Sequence, residues 1–279
     1  MPHTYTNDIV TFYEDTGDGP VVVLIHGHSL DLRMWKYQVA PLVDMGYRVV
    51  RYDVRGHGRS MVPPGGYTWD NYSVDLSDLL DRLNVEKPAA EPLAVEAAHV
   101  VGLSMGGGIA LKFALDHPER VLSLTLVDSI LPGFAYSEEF SGWITELRAA
   151  VRTEGKVEAF ERLWLAHPLF DGVRRHPERF AEVAEMVAGF QAAEYMEGAE
   201  TPGYGPQDLA GRLGEVSGPT LVVVGSEDVP DFLMIGALME ANIPGARRLE
   251  LAGCGHIPPL EDTATFNRSL LEFLASVGK

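Results

Sequence analysis

The chain has 279 residues, of which 46% are hydrophobic and 22% charged, as in average soluble globular proteins. This length fits one large α/β domain with an insertion, or two small domains, and it can bury a core that needs neither disulfides nor a structural metal. Lysine and arginine total 22 against 40 aspartate and glutamate, which gives a net charge of −18. That charge argues against nucleic acid and anionic membranes as partners, because both would repel the protein.

The single cysteine, Cys254, leaves no intrachain disulfide and no cysteine pair for a metal. The first residues, Met1 to Asp8, lack the basic and apolar regions of a signal peptide. No apolar run reaches the roughly 20 residues that span a bilayer. We therefore expect a cytoplasmic protein with no membrane partner.

Short apolar runs bounded by glycine, proline or aspartate predict strands that are buried on both faces, as in a parallel sheet. These runs are Val21–Ile25, Tyr47–Tyr52, Ala98–Gly102, Val121–Val127, Thr220–Val224 and Arg247–Leu251. A further segment, Ile9–Glu14, alternates in polarity and is predicted to belong to an antiparallel edge.

Amphipathic patterns between these runs predict helices. They cover about Met34–Met45, Trp69–Leu83, Met105–His117, Asp231–Ala241 and Thr263–Ser276. Strands that alternate with helices form βαβ units, so the predicted fold is α/β, with a mostly parallel sheet covered on both faces.

One stretch departs from this alternation. From Pro132 to Gly214 no buried strand is predicted, and amphipathic helical patterns there are rich in aromatic residues. We interpret 132–214 as a helical cap inserted into a core domain formed by 1–131 and 215–279. Most of its aromatic side chains are expected to pack inside the cap, and a few to face the site below it.

The strongest chemical signal is Gly102-Leu103-Ser104-Met105-Gly106, which lies between a predicted strand and a predicted helix. In that context the G-x-S-x-G pattern is typical of a nucleophile elbow, where a serine occupies a strained strand-to-helix turn. The flanking glycines allow the tight turn, and the serine is exposed at the carboxyl edge of the sheet, where open α/β sheets bind ligands. Ser104 is therefore the predicted nucleophile.

A serine hydroxyl reacts only when a base takes its proton, and the chain has nine histidines. His256 follows the last predicted strand, so its loop lies at the same edge of the sheet as Ser104, and it is the predicted base. His117, His167 and His176 each precede a proline and are interpreted as helix ends.

The acid that orients the base is expected after the preceding strand. Asp228 stands four residues beyond Val224 on that loop and is our first choice. Two alternatives stay open: the adjacent Glu227, and Asp128 at the end of an earlier strand. The chosen carboxylate would hold the imidazole in one tautomer and stabilise the imidazolium.

An oxyanion hole needs two preorganised N–H donors. The residue after the nucleophile, Met105, supplies one backbone amide, and the loop after Ile25 is expected to supply the other. His28 is the predicted donor there, with Ser29 as the alternative, whereas His26 is interpreted as a structural hydrogen-bonding residue.

No metal and no cofactor are predicted. The sequence contains neither HExxH nor CxxC, and Gly17-Asp18-Gly19 does not match a phosphate-binding loop. Cys254 lies next to a predicted strand end and is expected to be a small buried residue.

A set of motifs spread over essentially the whole chain resembles the α/β-hydrolase superfamily, and the order Ser104, Asp228, His256 is that of its triad. The set comprises His26-Gly27, Arg55-Gly56-His57-Gly58-Arg59-Ser60, Gly102-Leu103-Ser104-Met105-Gly106-Gly107, Asp228 and Gly255-His256. Residues 26–35 and 103–107 are similar to small bacterial serine carboxylesterases and their 3-oxoadipate enol-lactonase-like and haloperoxidase-like relatives.

This resemblance implies a short helical cap, no cofactor, and hydrolysis of small carboxylic esters through an acyl-enzyme. The chain departs from the pattern at Ser29, where many esterases and haloperoxidase-like members have proline, which argues against a perhydrolase. Dehalogenase and epoxide-hydrolase members use aspartate as nucleophile, so Ser104 argues against both.

We therefore expect a carboxylesterase whose partner is a small-molecule ester of short or medium chain length. Trp143 and Trp164 of the cap and Ile257 of the core are the predicted substrate contacts. A lactonase or a C–C bond hydrolase with the same triad is the alternative among enzymes. A slow-turnover ligand sensor is the alternative from another class.

Overall fold

The computed structural model describes residues 3–86, 96–195 and 207–278. They form an eight-stranded sheet with the spatial order β1-β2-β4-β3-β5-β6-β7-β8. The strands are β1 (His3–Thr6), β2 (Ile9–Thr16), β3 (Val21–Ile25), β4 (Arg48–Tyr52), β5 (Ala98–Leu103), β6 (Val121–Val127), β7 (Thr220–Gly225) and β8 (Arg247–Leu251).

Helices cover both faces of the sheet and fill the connection between β6 and β7. The α-helices are α1 (Lys36–Asp44), α2 (Trp69–Glu86), α3 (Met105–Asp116), α4 (Glu138–Glu154), α5 (Lys156–Trp164), α6 (Asp171–Arg174), α7 (Pro177–Gly189), α8 (Pro230–Asn242), α9 (Pro258–Glu261) and α10 (Thr263–Val277). Short 3₁₀ helices cover Leu32–Trp35, Pro118–Arg120, Pro168–Phe170, Ala193–Tyr195 and Ala210–Glu215. No helix in the described part of the chain has the length and apolarity needed to cross a membrane.

The predicted α/β fold is confirmed, and the six apolar runs form strands whose ends differ from the prediction by at most one residue. Strands β3 to β8 are all parallel. The alternating segment at Ile9 forms β2, which pairs antiparallel with β4 and with the outermost strand β1. Strand β1 was not predicted, because four residues of alternating polarity give too short a pattern.

Parallel strands end at the same edge of the sheet, so the loops that follow them meet there. Strand β3 leads to His28, β5 to Ser104, and β6 to Asp128. In the same way β7 leads to Asp228 and β8 to His256. The topology therefore brings together side chains that lie far apart in the sequence.

In residues 132–195 and 207–214, the described part of the segment between β6 and β7, all regular secondary structure is helical, and turns and irregular stretches join the helices. The amides of Leu209 and Ala210 both donate to the carbonyl oxygen of Pro132, each at 3.0 Å. The chain thus enters and leaves this segment at one place, as an inserted cap requires. The segment also contacts the core at its outer rim, where Arg33 pairs with Glu185 and Lys36 with Glu182.

A buried ion pair joins the loop after β4 to helix α2. Arg55 donates two hydrogen bonds of 2.6 Å to the carboxylate of Asp75, and both side chains are almost fully buried. On the same helix Asp81 pairs with Arg120, but the Asp81 side chain is 63% exposed. The two aspartates therefore offer a matched comparison between a buried and an exposed ion pair.

We predict that Asp75→Ala lowers the free energy of unfolding by about 3–5 kcal/mol, because it leaves the Arg55 charge buried without its carboxylate. Asp81→Ala is the control and is expected to cost about 0–1 kcal/mol. Urea denaturation of both variants measures the difference. Equal losses in the two variants would show that the Arg55–Asp75 pair does not anchor this loop.

Candidate active site

Ser104 stands in a sharp turn between β5 and α3. Its φ is 52°, in the left-handed region that a residue with a side chain adopts only under constraint. The constraint comes from close backbone packing: a Cβ on Gly102 would collide with the carbonyl oxygen of Gly106, and one on Gly106 with that of Ile25. Glycine at both positions therefore permits the turn that holds Ser104, as the elbow motif predicts.

His256 is hydrogen-bonded to Asp228 at the same edge of the sheet. Its Nδ1 lies 2.7 Å from Asp228 Oδ2, and the other carboxylate oxygen accepts the amide hydrogen of Val229 at 2.7 Å. Both side chains are buried. With Nδ1–H donated to a carboxylate, the lone pair of Nε2 is available to accept a proton.

The structure places neither alternative acid against the imidazole. Glu227 points outward, where it pairs with Arg175 at 2.5 Å and its side chain is 52% exposed. Asp128 is buried, and its carboxyl group is hydrogen-bonded to Asp228 and not to His256. Of the three carboxyl groups considered from the sequence, Asp228 has the geometry of the orienting acid.

Asp128 forms a hydrogen bond with the carboxylate of Asp228, and it also accepts the amide hydrogen of Gly225 at 3.0 Å. Burial, and then the negative charge of Asp228, raises the pKa of Asp128 well above its usual value. Two adjacent carboxyl groups in a buried site hold one proton between them. The raised pKa favours the protonated form of Asp128, which can then donate to the carboxylate of Asp228.

Two backbone amides are free beside Ser104. Neither His28 N–H nor Met105 N–H has an acceptor among residues 3–86, 96–195 and 207–278, and Met105 is the first residue of α3. Both residues line the same cavity as Ser104 and His256. Both residues therefore remain candidate donors of an oxyanion hole.

The rest of the loop after β3 is structural. His26 accepts the amide hydrogen of Val54 through Nε2 at 2.9 Å, as expected for a structural residue. Ser29 is fully buried and has a φ of 63°, which the proline ring cannot adopt. The departure from the resembled pattern at Ser29 therefore goes with a different backbone conformation of this loop.

We call the cavity at Ser104 the inner cavity. It measures about 30 Å³, room for about two or three water molecules, and two predicted substrate contacts, Trp164 and Ile257, line it. The third, Trp143, instead lines a neighbouring cavity of about 720 Å³, which we call the outer cavity. Phe140 lines both.

Asp128, Asp228 and His256 each offer one potential metal ligand, and these atoms lie within 4.8 Å of one another. The three groups are, however, already hydrogen-bonded in a row from Asp128 through Asp228 to His256. A cation would have to break those bonds, so the cluster is organised for proton sharing. Cys254, the single thiol, is buried, and burial raises its pKa to about 12, which keeps it a neutral thiol.

The sequence analysis did not identify the network around the His28 imidazole. Tyr195 OH lies 2.9 Å from His28 Nε2, and Glu194 Oε1 lies 3.2 Å from Nδ1. Burial lowers the pKa of His28 to about 3, whereas burial raises the pKa of Glu194 to about 8 against the opposing effect of Arg148. Near neutral pH both groups are uncharged, and the hydrogen bond between Tyr195 and His28 joins the 3₁₀ helix Ala193–Tyr195 to the loop after β3.

Comparisons with known proteins agree with the fold. A family model for the alpha/beta hydrolase fold matches residues 20–263. A relative of Variovorax paradoxus that bears the name carbamate hydrolase RutD is 30% identical over 267 residues, which cover 93% of each chain. The structure of a thermophilic esterase from Thermogutta terrifontis has a TM-score of 0.82 at 29% identity and covers 97% of this chain and 95% of its own. That of an enol-lactonase from Burkholderia xenovorans has a TM-score of 0.80 at 27% identity, with 98% and 100% covered.

We predict that Glu194→Gln becomes more stable relative to wild type as pH rises. The native pKa of Glu194, about 8, exceeds its ordinary value of 4.5, so between these pH values the native state binds more protons than the unfolded state. The unfolding free energy of the wild type therefore falls with rising pH through this window, by at most about 1.4 kcal/mol per pH unit. Glutamine does not titrate and lacks this loss.

The free energy of unfolding of both proteins is measured by denaturant titration at pH values from 5 to 9, about one unit apart. The difference between the two proteins is expected to grow up to about pH 8 and then stay constant. Glu185→Gln, at an exposed rim position, is the control and is expected to show no such trend. A difference independent of pH would mean that Glu194 is ionised in the native protein.

Proposed function

The chain belongs to the α/β-hydrolase family, and on that premise we propose that it is a serine hydrolase of small carboxylic esters. One observation carries the proposal: Ser104, His256 and the free amides of His28 and Met105 line one cavity, and Asp228 holds the imidazole from behind. This combination is the set of groups that acyl transfer through a serine requires.

In the acylation step, Ser104 Oγ attacks the ester carbonyl carbon while His256 Nε2 takes the hydroxyl proton. The carbonyl oxygen becomes negative and is stabilised by the amides of His28 and Met105. His256 then gives the proton to the leaving alcohol as the carbon–oxygen bond breaks, which leaves an acyl group on Ser104. Asp228 stabilises the imidazolium that exists between these two transfers.

In the deacylation step, a water molecule takes the place of the alcohol. His256 removes a proton from the water, the resulting hydroxide attacks the acyl carbon, and the same amides stabilise the second oxyanion. Collapse returns the proton to Ser104 and releases the carboxylic acid. No residue outside the inner cavity and its supporting aspartates is needed for this cycle.

Asp128 supports the cycle indirectly, through its hydrogen bond to Asp228. Its protonated carboxyl donates to Asp228, so it fixes that carboxylate without competing with His256 for the negative charge. We assign it as a positioning residue, because it does not line the inner cavity in the described structure.

The size of the inner cavity supports short acyl groups, the lower end of the short-to-medium range expected from the sequence. Room for about two or three water molecules suits a short acyl group such as acetyl and excludes a long chain. A lactonase is the second candidate, because the enol-lactonase neighbour spans the whole chain and lactones need the same attack by serine. Rapid hydrolysis of an ester or of a lactone would distinguish both enzymes from a slow-turnover ligand sensor.

We predict that Ser104→Ala and His256→Ala each lower kcat for 4-nitrophenyl acetate by about 10⁴–10⁶-fold while circular dichroism stays unchanged. The double variant is expected to be scarcely worse than either single one, because the two groups act as one unit. If the two losses instead multiplied, His256 would not be the base for Ser104. A folded Ser104→Ala protein with near wild-type turnover would overturn the nucleophile assignment.

We predict that Asp228→Asn lowers kcat by about 10⁴-fold, because the amide cannot hold the required imidazole tautomer. Asp128→Asn is the matched control one layer away: its NH₂ still donates to Asp228 and its carbonyl oxygen still accepts from Gly225. We expect it to lose less than about tenfold in kcat. The opposite ranking of the two variants would make Asp128 the orienting acid.

A further inference from the structure

The outer cavity lies directly beside the groups assigned to catalysis. Its lining includes Val229, Pro230 and Asp231, the residues that follow Asp228 at the start of α8. Two rings separate it from the inner cavity: Phe140, which lines both cavities, and Phe232, whose centroid lies 5.8 Å from that of Phe140 and 4.4 Å from that of His256. The outer cavity therefore lies next to the inner one on the side of His256, with the ring of Phe140 as a shared wall.

That side has a defined role in the proposed reaction. The oxygen of the leaving alcohol must receive its proton from His256, so the alcohol half of the ester lies on the His256 side of the carbonyl carbon. The acyl half stays at Ser104 until water removes it. An ester in the inner cavity thus directs its alcohol half toward Phe140 and the outer cavity.

The two cavities differ greatly in size. The inner cavity has about 30 Å³, whereas the outer one has about 720 Å³, within the range of about 300–1,000 Å³ that is usual for small-molecule sites. The volumes alone assign a small acyl half and a large alcohol half to the substrate.

Aromatic and aliphatic side chains dominate the outer cavity. The rings of Trp143 and His167 have centroids 3.7 Å apart, and the ring of Phe140 stands edge-on to His167 at 5.9 Å. Leu163, Ala166 and Pro168 add aliphatic surface. An aromatic ring can stack or pack edge-on against such walls.

The charges at the cavity exclude an anion. Its acidic residues are Glu139 and Asp231, and no lysine or arginine occurs among the described residues that line either cavity. His167 supplies no positive charge near neutral pH, because burial lowers its pKa to about 4. Its Nδ1 accepts the amide hydrogen of Leu169 at 3.2 Å, so the neutral ring carries its hydrogen on Nε2.

We propose that the outer cavity is the alcohol site of the enzyme and takes an uncharged alcohol half bearing an aromatic ring, while the inner cavity admits only a short acyl half. This inference rests on the proposed esterase function. The proposal also argues against a C–C bond hydrolase whose substrate bears a carboxylate, because the described lining of the two cavities contains no lysine or arginine to bind that group.

Two isomeric esters test the assignment of the two halves. In 2-phenylethyl acetate the ring is on the alcohol side, and in ethyl phenylacetate the same atoms place it on the acyl side. We expect kcat/KM for 2-phenylethyl acetate to be higher by about tenfold or more. Equal values, or a preference for ethyl phenylacetate, would overturn the proposal.

A variant that fills the outer cavity tests its location. Ala166→Trp adds an indole to the exposed position that lines the cavity, and Ala181→Trp adds the same group on an exposed part of α7 as the control. We expect Ala166→Trp to lower the ratio of kcat/KM for 2-phenylethyl acetate to that for ethyl acetate by about tenfold. Ala181→Trp is expected to leave that ratio unchanged. An unchanged ratio in Ala166→Trp would mean that the alcohol binds elsewhere.

A charged substrate tests the polarity of the site. We expect 2-(4-carboxyphenyl)ethyl acetate to have a kcat/KM lower by about tenfold or more than 2-(4-methylphenyl)ethyl acetate, whose leaving alcohol has similar reactivity. Equal rates would refute the exclusion of anions. If no acetate ester is hydrolysed in a Ser104-dependent manner, the proposed function itself fails; hydrolysis without these preferences defeats the further inference alone.

Discussion

The close approach of helix α3 to the ends of β3 and β5 is the constraint on which the site depends. The carbonyl oxygens of Ile25 and Gly106 occupy the space that side chains would need at Gly106 and Gly102. With that space filled by backbone, the turn between them closes tightly enough to force Ser104 into a left-handed conformation. The same approach brings Met105 next to the loop that carries His28, so the predicted nucleophile and the predicted oxyanion donors depend on one packing contact.

The second organising element is a row of hydrogen bonds from Asp128 through Asp228 to His256. Burial of these two carboxyl groups and the imidazole would cost much free energy if each of the three were charged. The raised pKa of Asp128 favours a neutral carboxyl at that position, which lowers this cost. The positive φ of Asp128, 37°, is the local strain that this arrangement sustains.

The sequence predicted the elements whose signal is local. Strands such as Val21–Ile25 are continuous apolar runs, and Ser104 and His256 stand at fixed places relative to strand ends, so topology alone brings them together. Asp228 could be ranked above its rivals but not separated from them, because the choice depends on side-chain directions that no local pattern encodes. Glu194 carried no signal, since a glutamate in an amphipathic segment is ordinarily solvent-exposed. The role of Phe140 between two cavities depends on the packing of the inserted helices against α8.

The junction at Pro132 has a consequence for how such a protein can change over time. Its carbonyl oxygen receives the amides of both Leu209 and Ala210, so the helical segment begins and ends at a single point above β6 and β7. Insertions, deletions or exchanges between those ends leave the spacing of the two strands unaltered, and a longer connection adds only a slowly growing entropic cost. Under the proposed function, selection for a new leaving group can therefore change residues of this segment that line the outer cavity without changing the strands that lead to Ser104 and His256. The segment that forms part of the outer cavity is thus joined to the sheet at one junction and held at its rim by pairs such as Arg33–Glu185.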